Sequence, residues 1–181
     1  MFSPVLLLLI IALIGLTAVS IYLSWWFYWQ LQPLMHGGGP YVPSQAEEVR
    51  RMVEAAELTP SDVVYDLGSG DGRILFHAVA SSGCQGVGYE IDPGLVRRAQ
   101  AETTAKGLDE QLRFERKNFW HVPLGNATVV FLYQLPRTMK GLKRKLCREL
   151  PVGARIVSNN FVFPGWEPER IDGTVRRYRH R

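Results

Sequence analysis

Apolar residues run unbroken through the first part of the chain and then give way to short apolar blocks separated by segments of helical period. Val5 to Trp29 holds no charged residue. As a helix rising 1.5 Å per residue this stretch would extend roughly 37 Å, more than the ~30 Å hydrocarbon core of a bilayer. Trp25, Trp26, Tyr28 and Trp29 crowd its far end, where amphipathic rings prefer the headgroup layer. Residues 1–30 are therefore predicted to form a transmembrane anchor. A cleavable leader is the competing reading, with Ala18 and Ser20 as a weak small-x-small site, but the start is not basic and the apolar run is too long for one. Residues 31–43, LQPLMHGGGPYVP, are rich in glycine and proline and read as a linker leaving the bilayer.

Residues 44–181 then alternate between helix and strand patterns. Ser44 opens a capping box with Glu47, and Val49, Met52, Val53 and Ala56 follow at helical spacing, which predicts a helix over about 45–58. An apolar strand from Val63 runs into glycines at 68, 70 and 72, and a helix is expected from Arg73 to Ser82. Gly86 to Ile91 is the second strand. Asp92-Pro93 starts a helix that stops at Gly107, since proline suits a first turn and glycine an end. Leu112 to Lys117 alternates as a third strand should, and Ala127 to Leu135 is a continuous apolar run typical of a strand covered on both faces. Pro136 to Leu150 is a further helix, Ala154 to Phe161 a fifth strand, and Thr174 to Tyr178 a short last one. This order predicts an α/β fold, a parallel sheet with crossover helices.

Composition narrows the picture. Setting the leader aside, the remaining roughly 140 residues suffice for one domain with a core and not for two. The formal charge of +4 leans toward the C-terminal third, which suits an anionic membrane surface, nucleic acid or an acidic partner without choosing among them. Cys84 and Cys147 fit neither a disulfide framework nor a metal-ligand spacing, so a reducing compartment is the default and no metal is expected. Basic residues are absent before the apolar helix and begin at Arg50 and Arg51 after it, which places the large domain on the cytoplasmic side and the amino end outside.

The chemistry is expected at VVYDLGSGDGR, residues 63–73. Glycine permits backbone angles closed to other residues and lets a ligand press against the main chain. Asp66 stands at the carboxyl end of the strand, where open α/β sheets bind ligands. A dinucleotide fingerprint would need a third glycine at 73, and Arg73 stands there instead.

D-x-G-x-G-x-G after a strand resembles motif I of the class I S-adenosylmethionine (SAM) dependent methyltransferases. In that family the loop wraps the methionine end of the cofactor, and an acidic residue ending the next strand takes the ribose hydroxyls. Glu90 follows Asp66 at about the separation one βαβ half-unit requires. GGPYVPS, YDLGSGDGRI, GYEIDPGLV, RKNFW, VVFLYQLP, SNNF and PGW together are similar to a small group of protein-lysine methyltransferases. That group includes an archaeal broad-specificity enzyme and membrane-anchored mitochondrial enzymes acting on ATP synthase and the adenine nucleotide translocase.

The resemblance implies a Rossmann-like sheet, SAM as cofactor and a set of roles. Tyr41 and Ser44 would line the methionine side, Asp66, Gly68 and Gly70 would form the loop, and Glu90 would hold the ribose. Asn118 and Phe119 would flank the adenine, although aspartate is common where Asn118 stands. Tyr133, at the end of the fourth strand, is the residue expected to orient a lysine amine, with a plain strand-end aromatic as the bland alternative. Ser44 is explained equally by N-capping, and the two roles are compatible. The usual fold ends in an antiparallel hairpin, for which the C-terminal residues leave room for one strand, so a sheet one strand short is expected.

The leading functional expectation is a membrane-anchored protein-lysine methyltransferase whose partners are the lipid bilayer and a protein with an accessible lysine. Modification of a lipid or small molecule, or a SAM-binding scaffold without turnover, are the alternatives. A base-directed amino-methyltransferase would carry [DN]-P-P-[YF] where this chain has Y-Q-L-P, so no nucleic acid is expected.

Overall fold

The structure is a computed structural model that describes residues 3–35, 39 and 41–181. It divides into two units, Met1–Pro40 and Tyr41–Arg181. In the first, helix α1 covers Pro4–Met35, and Pro4–Tyr28 is long and apolar enough to cross a membrane by length and composition. The helix continues five residues past the anchor boundary expected at residue 30. Pro33 removes one backbone donor without ending it. Residues 36–38 and 40 of the expected linker, His36 among them, lie outside the described residues, as does the side chain of Trp29.

The second unit runs α2 (Ala46–Ala56), β1 (Val63–Leu67), α3 (Arg73–Ser82), β2 (Gln85–Glu90), α4 (Pro93–Ala105), β3 (Leu112–Arg116), a 3-10 turn (Phe119–His121), β4 (Val129–Leu132), α5 (Pro136–Glu149), β5 (Arg155–Asn159), β6 (Arg170–Asp172) and β7 (Val175–Arg179). The seven strands form one sheet in the order β3-β2-β1-β4-β5-β7-β6. β1 to β5 pair in parallel, and β7 runs antiparallel to both β5 and β6. The expectation of a sheet one strand short is thus corrected: the antiparallel hairpin is complete. Its outer strand is three polar-leaning residues, Arg-Ile-Asp, paired to β7 through a two-residue turn at Gly173 (φ 58°) and Thr174. So short a strand has no period to read.

Strand alternation sorts the core onto two faces. Val64, Val129, Phe131 and Val157 pack with α2, α3 and α4 through Met52, Leu75, Ala78, Val96 and Ala99. Tyr65, Leu67, Val130, Leu132 and Ile156 point the other way and meet Met139, Leu142 and Leu146 of α5. Central strands buried on both faces are the reason the 127–135 segment reads as an unbroken apolar run.

The cap of α2 sits one residue later than the sequence suggests. Gln45 is the N-cap, its backbone N–H donating to Glu48 at 2.9 Å, while Glu47 pairs with Arg50 and Arg51. Ser44 is buried, with its carbonyl accepting from Arg73 Nη1 at 2.7 Å; that tie fixes where the helix begins. At the opposite end of the sheet, burial pushes the Asp62 carboxyl up, but bonds from Thr128, Arg155 and Thr59 more than offset it and hold the group at about 2.

The chain order reverses between β1 and β4, so the crevice at their carboxyl ends is the topological switch point where open α/β sheets bind ligands.

Candidate functional site

The loop after β1 folds back on β2. Gly68 N–H and Ser69 N–H both donate to the Tyr89 carbonyl, at 2.9 and 3.1 Å. Gly70 N–H donates to Glu90 Oε2 at 3.0 Å, while Glu90 Oε1 accepts from Ile91 N–H at 2.7 Å and Asp92 N–H at 2.9 Å. One carboxylate therefore ties the glycine turn to the start of α4. All three of the turn's glycines are required by space and angle together. A Cβ on Gly68 (φ 92°) would meet Gln134 Nε2 at 2.5 Å, one on Gly70 (φ 56°) would meet the Tyr41 ring at 2.6 Å, and one on Gly72 (φ 84°) would meet the Phe114 ring at 2.5 Å.

Asp66 is 1% exposed. Burial pushes its carboxyl up to about 8, and the charges of Glu90 and Asp71 add to the rise. Its Oδ2, together with Ser69 Oγ and Gln134 Oε1, is buried without a hydrogen-bond partner among the described residues. Gln134 Nε2 meanwhile donates to the Leu67 carbonyl at 2.8 Å. Buried polar atoms are almost always satisfied. Three acceptor-capable orphans around one turn mark a place built for a ligand that brings donors, and the ammonium of an amino-acid moiety beside a positively charged sulfur fits that donor set.

A clamp that the sequence did not disclose closes the near side. Arg73, the residue that spoils a dinucleotide fingerprint, donates from Nε and Nη2 to the two oxygens of Asp71 at 2.9 and 2.7 Å, from Nη1 to the Ser44 carbonyl, and from Nη2 to the Tyr41 hydroxyl at 3.3 Å. Arg73 holds the Asp71 carboxyl below its ordinary range. Burial, with Asp71 beside it, raises the Tyr41 phenol. Tyr41 and Ser44 are thereby fixed against the loop. A cation right after a glycine turn was the available signal for this clamp.

The other predicted residues sit around this centre. Asn118 follows β3, and its Oδ1 accepts the Trp120 N–H at 3.0 Å, capping the 3-10 turn. Phe119 is 7% exposed and belongs to the core beside Trp120, its ring centroid 5.3 Å away. Tyr133 is half-buried at the end of β4, stacked on Phe161 with centroids 6.0 Å apart. Tyr41 and Ser44 meet at Arg73, Gly70 is bonded to Glu90 and Gly68 to Tyr89, and Asp66 is buried at the same turn with its Oδ2 unpartnered, while Asn118 and Tyr133 stand at flanking strand ends. Gln134, Ser69, Asp71 and Arg73 complete the site.

Comparison with known proteins places this geometry. A sequence profile described as the ANTKMT methyltransferase domain matches residues 66–170. A protein-lysine N-methyltransferase of Saccharolobus islandicus is 39% identical over 133 residues, covering 73% of this chain and 83% of that protein. An adenine nucleotide translocase lysine N-methyltransferase of Mus musculus is 37% identical over 134 residues, covering 74% of this chain; the match spans 58% of that protein's length. A solved structure described as an RNA methyltransferase from Salinibacter ruber in complex with S-adenosyl-L-homocysteine superposes with a TM-score of 0.74 at 39% identity, covering 76% of this chain and 93% of that one.

Proposed function

We propose that this chain, which belongs to the family of the ANTKMT methyltransferase domain, methylates lysine side chains of a protein at or in a membrane, to which α1 anchors it. It is a class I methyltransferase and its cofactor is SAM. The single observation that carries the lysine reading is the 39% identity to a protein-lysine N-methyltransferase across most of both chains.

When bound, SAM supplies an electrophilic methyl group on a positively charged sulfur. The chain's own part is to bind, orient and exclude water. Asp66 Oδ2, Ser69 Oγ and Gln134 Oε1 are the acceptors for the amino-acid end, Glu90 is the residue for the ribose hydroxyls, and Asn118 with Phe119 would flank the adenine. Glu90 already holds the Gly70 N–H, so a ribose contact there also fixes the loop. Tyr41, clamped by Arg73, walls off the loop from solvent.

Methyl transfer to nitrogen needs a lone pair and alignment rather than an acid-base triad. A lysine of ordinary pKa near 10.4 gives up its proton at pH 7 at a cost of about 4 to 5 kcal/mol. Desolvation beside a positive charge offsets much of that. Tyr133 is the residue we assign to orient the amine. Its ring is held by Phe161, and its hydroxyl makes no hydrogen bond among the described residues.

Incubating the detergent-solubilised chain with radiolabelled SAM and membrane extract tests the proposal. Label is expected in a protease-sensitive, RNase-resistant band that yields methyllysine on hydrolysis; label confined to the lipid phase would reject it. RNase-sensitive label would instead favour a second reading, RNA methylation, which the likeness to the Salinibacter ruber structure supports. The absence of [DN]-P-P-[YF] at 133–136 weighs against that reading. For orientation, we place the domain on the cytoplasmic side of a single span, and protease accessibility from the outer face would defeat it.

The clamp makes its own prediction. Arg73→Ala is expected to raise the KM for SAM about tenfold, or ~1.4 kcal/mol, near the upper end of one net hydrogen bond, with kcat changed far less. Steady-state kinetics at saturating acceptor separate the two parameters.

A further inference from the structure

α5 holds Arg137, Lys140, Lys143, Arg144, Lys145 and Arg148 against one carboxylate, Glu149. Its net charge is therefore +5, so the rest of the chain, whose total is +4, is close to neutral at −1. Lys145 and Lys143 are turned into the fold. Lys145 is buried on the Val122 carbonyl and Glu149, and Lys143 binds the carbonyls of Pro164 and Gly165. The other four, Arg137, Lys140, Arg144 and Arg148, are exposed and recur at spacings of three, four and four, which puts them in one stripe along the helix.

The chain's other basic cluster behaves differently. Arg177 and Arg179 of β7 are paired with Glu57 and Glu169. Around α5, among the described residues, no carboxylate lies within 4 Å of Lys140 or Arg144, and Glu149 reaches only the far end of the stripe through Arg148. Ordinary solvated faces intersperse both signs. A single-sign stripe that ends beside β4, where Tyr133 stands, has the composition of a surface for polyanions. The same chain carries a 25-residue segment apolar enough to enter a bilayer, and inner-leaflet surfaces attract juxtamembrane Lys and Arg within a Debye length.

We infer that the Arg137-Lys140-Arg144-Arg148 stripe docks on anionic lipid headgroups, laying the acceptor side of the domain against the membrane. This rests on the reading of α1 as a bilayer anchor. Cys147 provides the probe: it is exposed on α5 next to the stripe, whereas Cys84 is buried. The full chain is reconstituted in nanodiscs of phosphatidylcholine alone or with one third phosphatidylglycerol, and maleimide labelling of Cys147 is timed.

Labelling is expected to be about fivefold slower on the anionic discs, to recover in 1 M salt, where the Debye length falls to about 3 Å, and to recover in Lys140→Glu/Arg144→Glu while SAM binding is unchanged. Equal labelling rates on both discs overturn the inference and leave the anchor standing. Protection by an RNA oligomer but not by anionic lipid overturns it as well. A chain that joins neither disc refutes the anchor; flotation of that chain with anionic but not neutral vesicles then still supports the stripe, and flotation with neither overturns it.

Discussion

Asp66→Asn is expected to weaken SAM binding about 100-fold at pH 8, because it replaces a charged acceptor in a dry site with a neutral one. Hydrogen bonds to charged groups contribute about 1.5–3 kcal/mol, or roughly 10- to 150-fold. The pH dependence is the sharper readout. In the free protein the carboxyl is pushed up to about 8 by burial and by Glu90 and Asp71, so below that pH it holds a proton which a cationic ligand must displace. Affinity in the native protein, relative to Asp66→Asn, should rise about tenfold per pH unit from 6 toward 8 and then level off.

Stability moves the other way. With the folded pKa above the unfolded one, the folded state binds the extra proton. This contribution is complete below about 4, diminishes through the window above it, and is gone as pH passes about 8. Thermal upshift by SAM should consequently be larger at pH 8.5 than at pH 6.5, and calorimetric titration at the two values checks both halves. A pH-independent difference between the native protein and Asp66→Asn would show that the buried acid does not face the ligand.

Glu90→Ala is expected to cost about 3 kcal/mol of stability and to abolish measurable SAM binding. Its carboxylate accepts three backbone N–H groups, from Gly70, Ile91 and Asp92. Truncation orphans them at about 1 kcal/mol or more each. For a domain of this size the loss corresponds to a fall in Tm of about 10 °C, readable by differential scanning fluorimetry. A fall of only a degree or two, with binding lost, would show that Glu90 serves the ligand and not the loop. Unchanged binding with lowered Tm would show the reverse.

Most of the sheet was legible because its signals are local. Gly68, Gly70 and Gly72 mark a strand-to-helix turn by their spacing, Asp92-Pro93 and Gly107 bracket α4, and the apolar density of Val129 to Leu132 betrays a strand covered on both sides. What escaped is what depends on partners distant in sequence. β6 exists only as the edge of β7. Ser44 has the chemistry of a cap, yet a guanidinium 29 residues away holds its carbonyl, so Gln45 caps instead. Gln134 is indistinguishable from any strand-end amide until it is seen against Gly68 with one oxygen unpaired. The helix runs on through Pro33 to Met35, past the boundary that the end of the uncharged run suggested.

The strap formed by Tyr41, Ser44 and Arg73 decides where this protein can be shortened. Cutting away the apolar leader is the natural route to a form that dissolves without detergent, and a new start at Ala46, the first residue of α2, would keep every element of the sheet. Such a form would fold and still be a poor enzyme, having lost the aromatic ring that covers Gly70 and the carbonyl that steadies Arg73. The useful starting point is residue 41 or earlier.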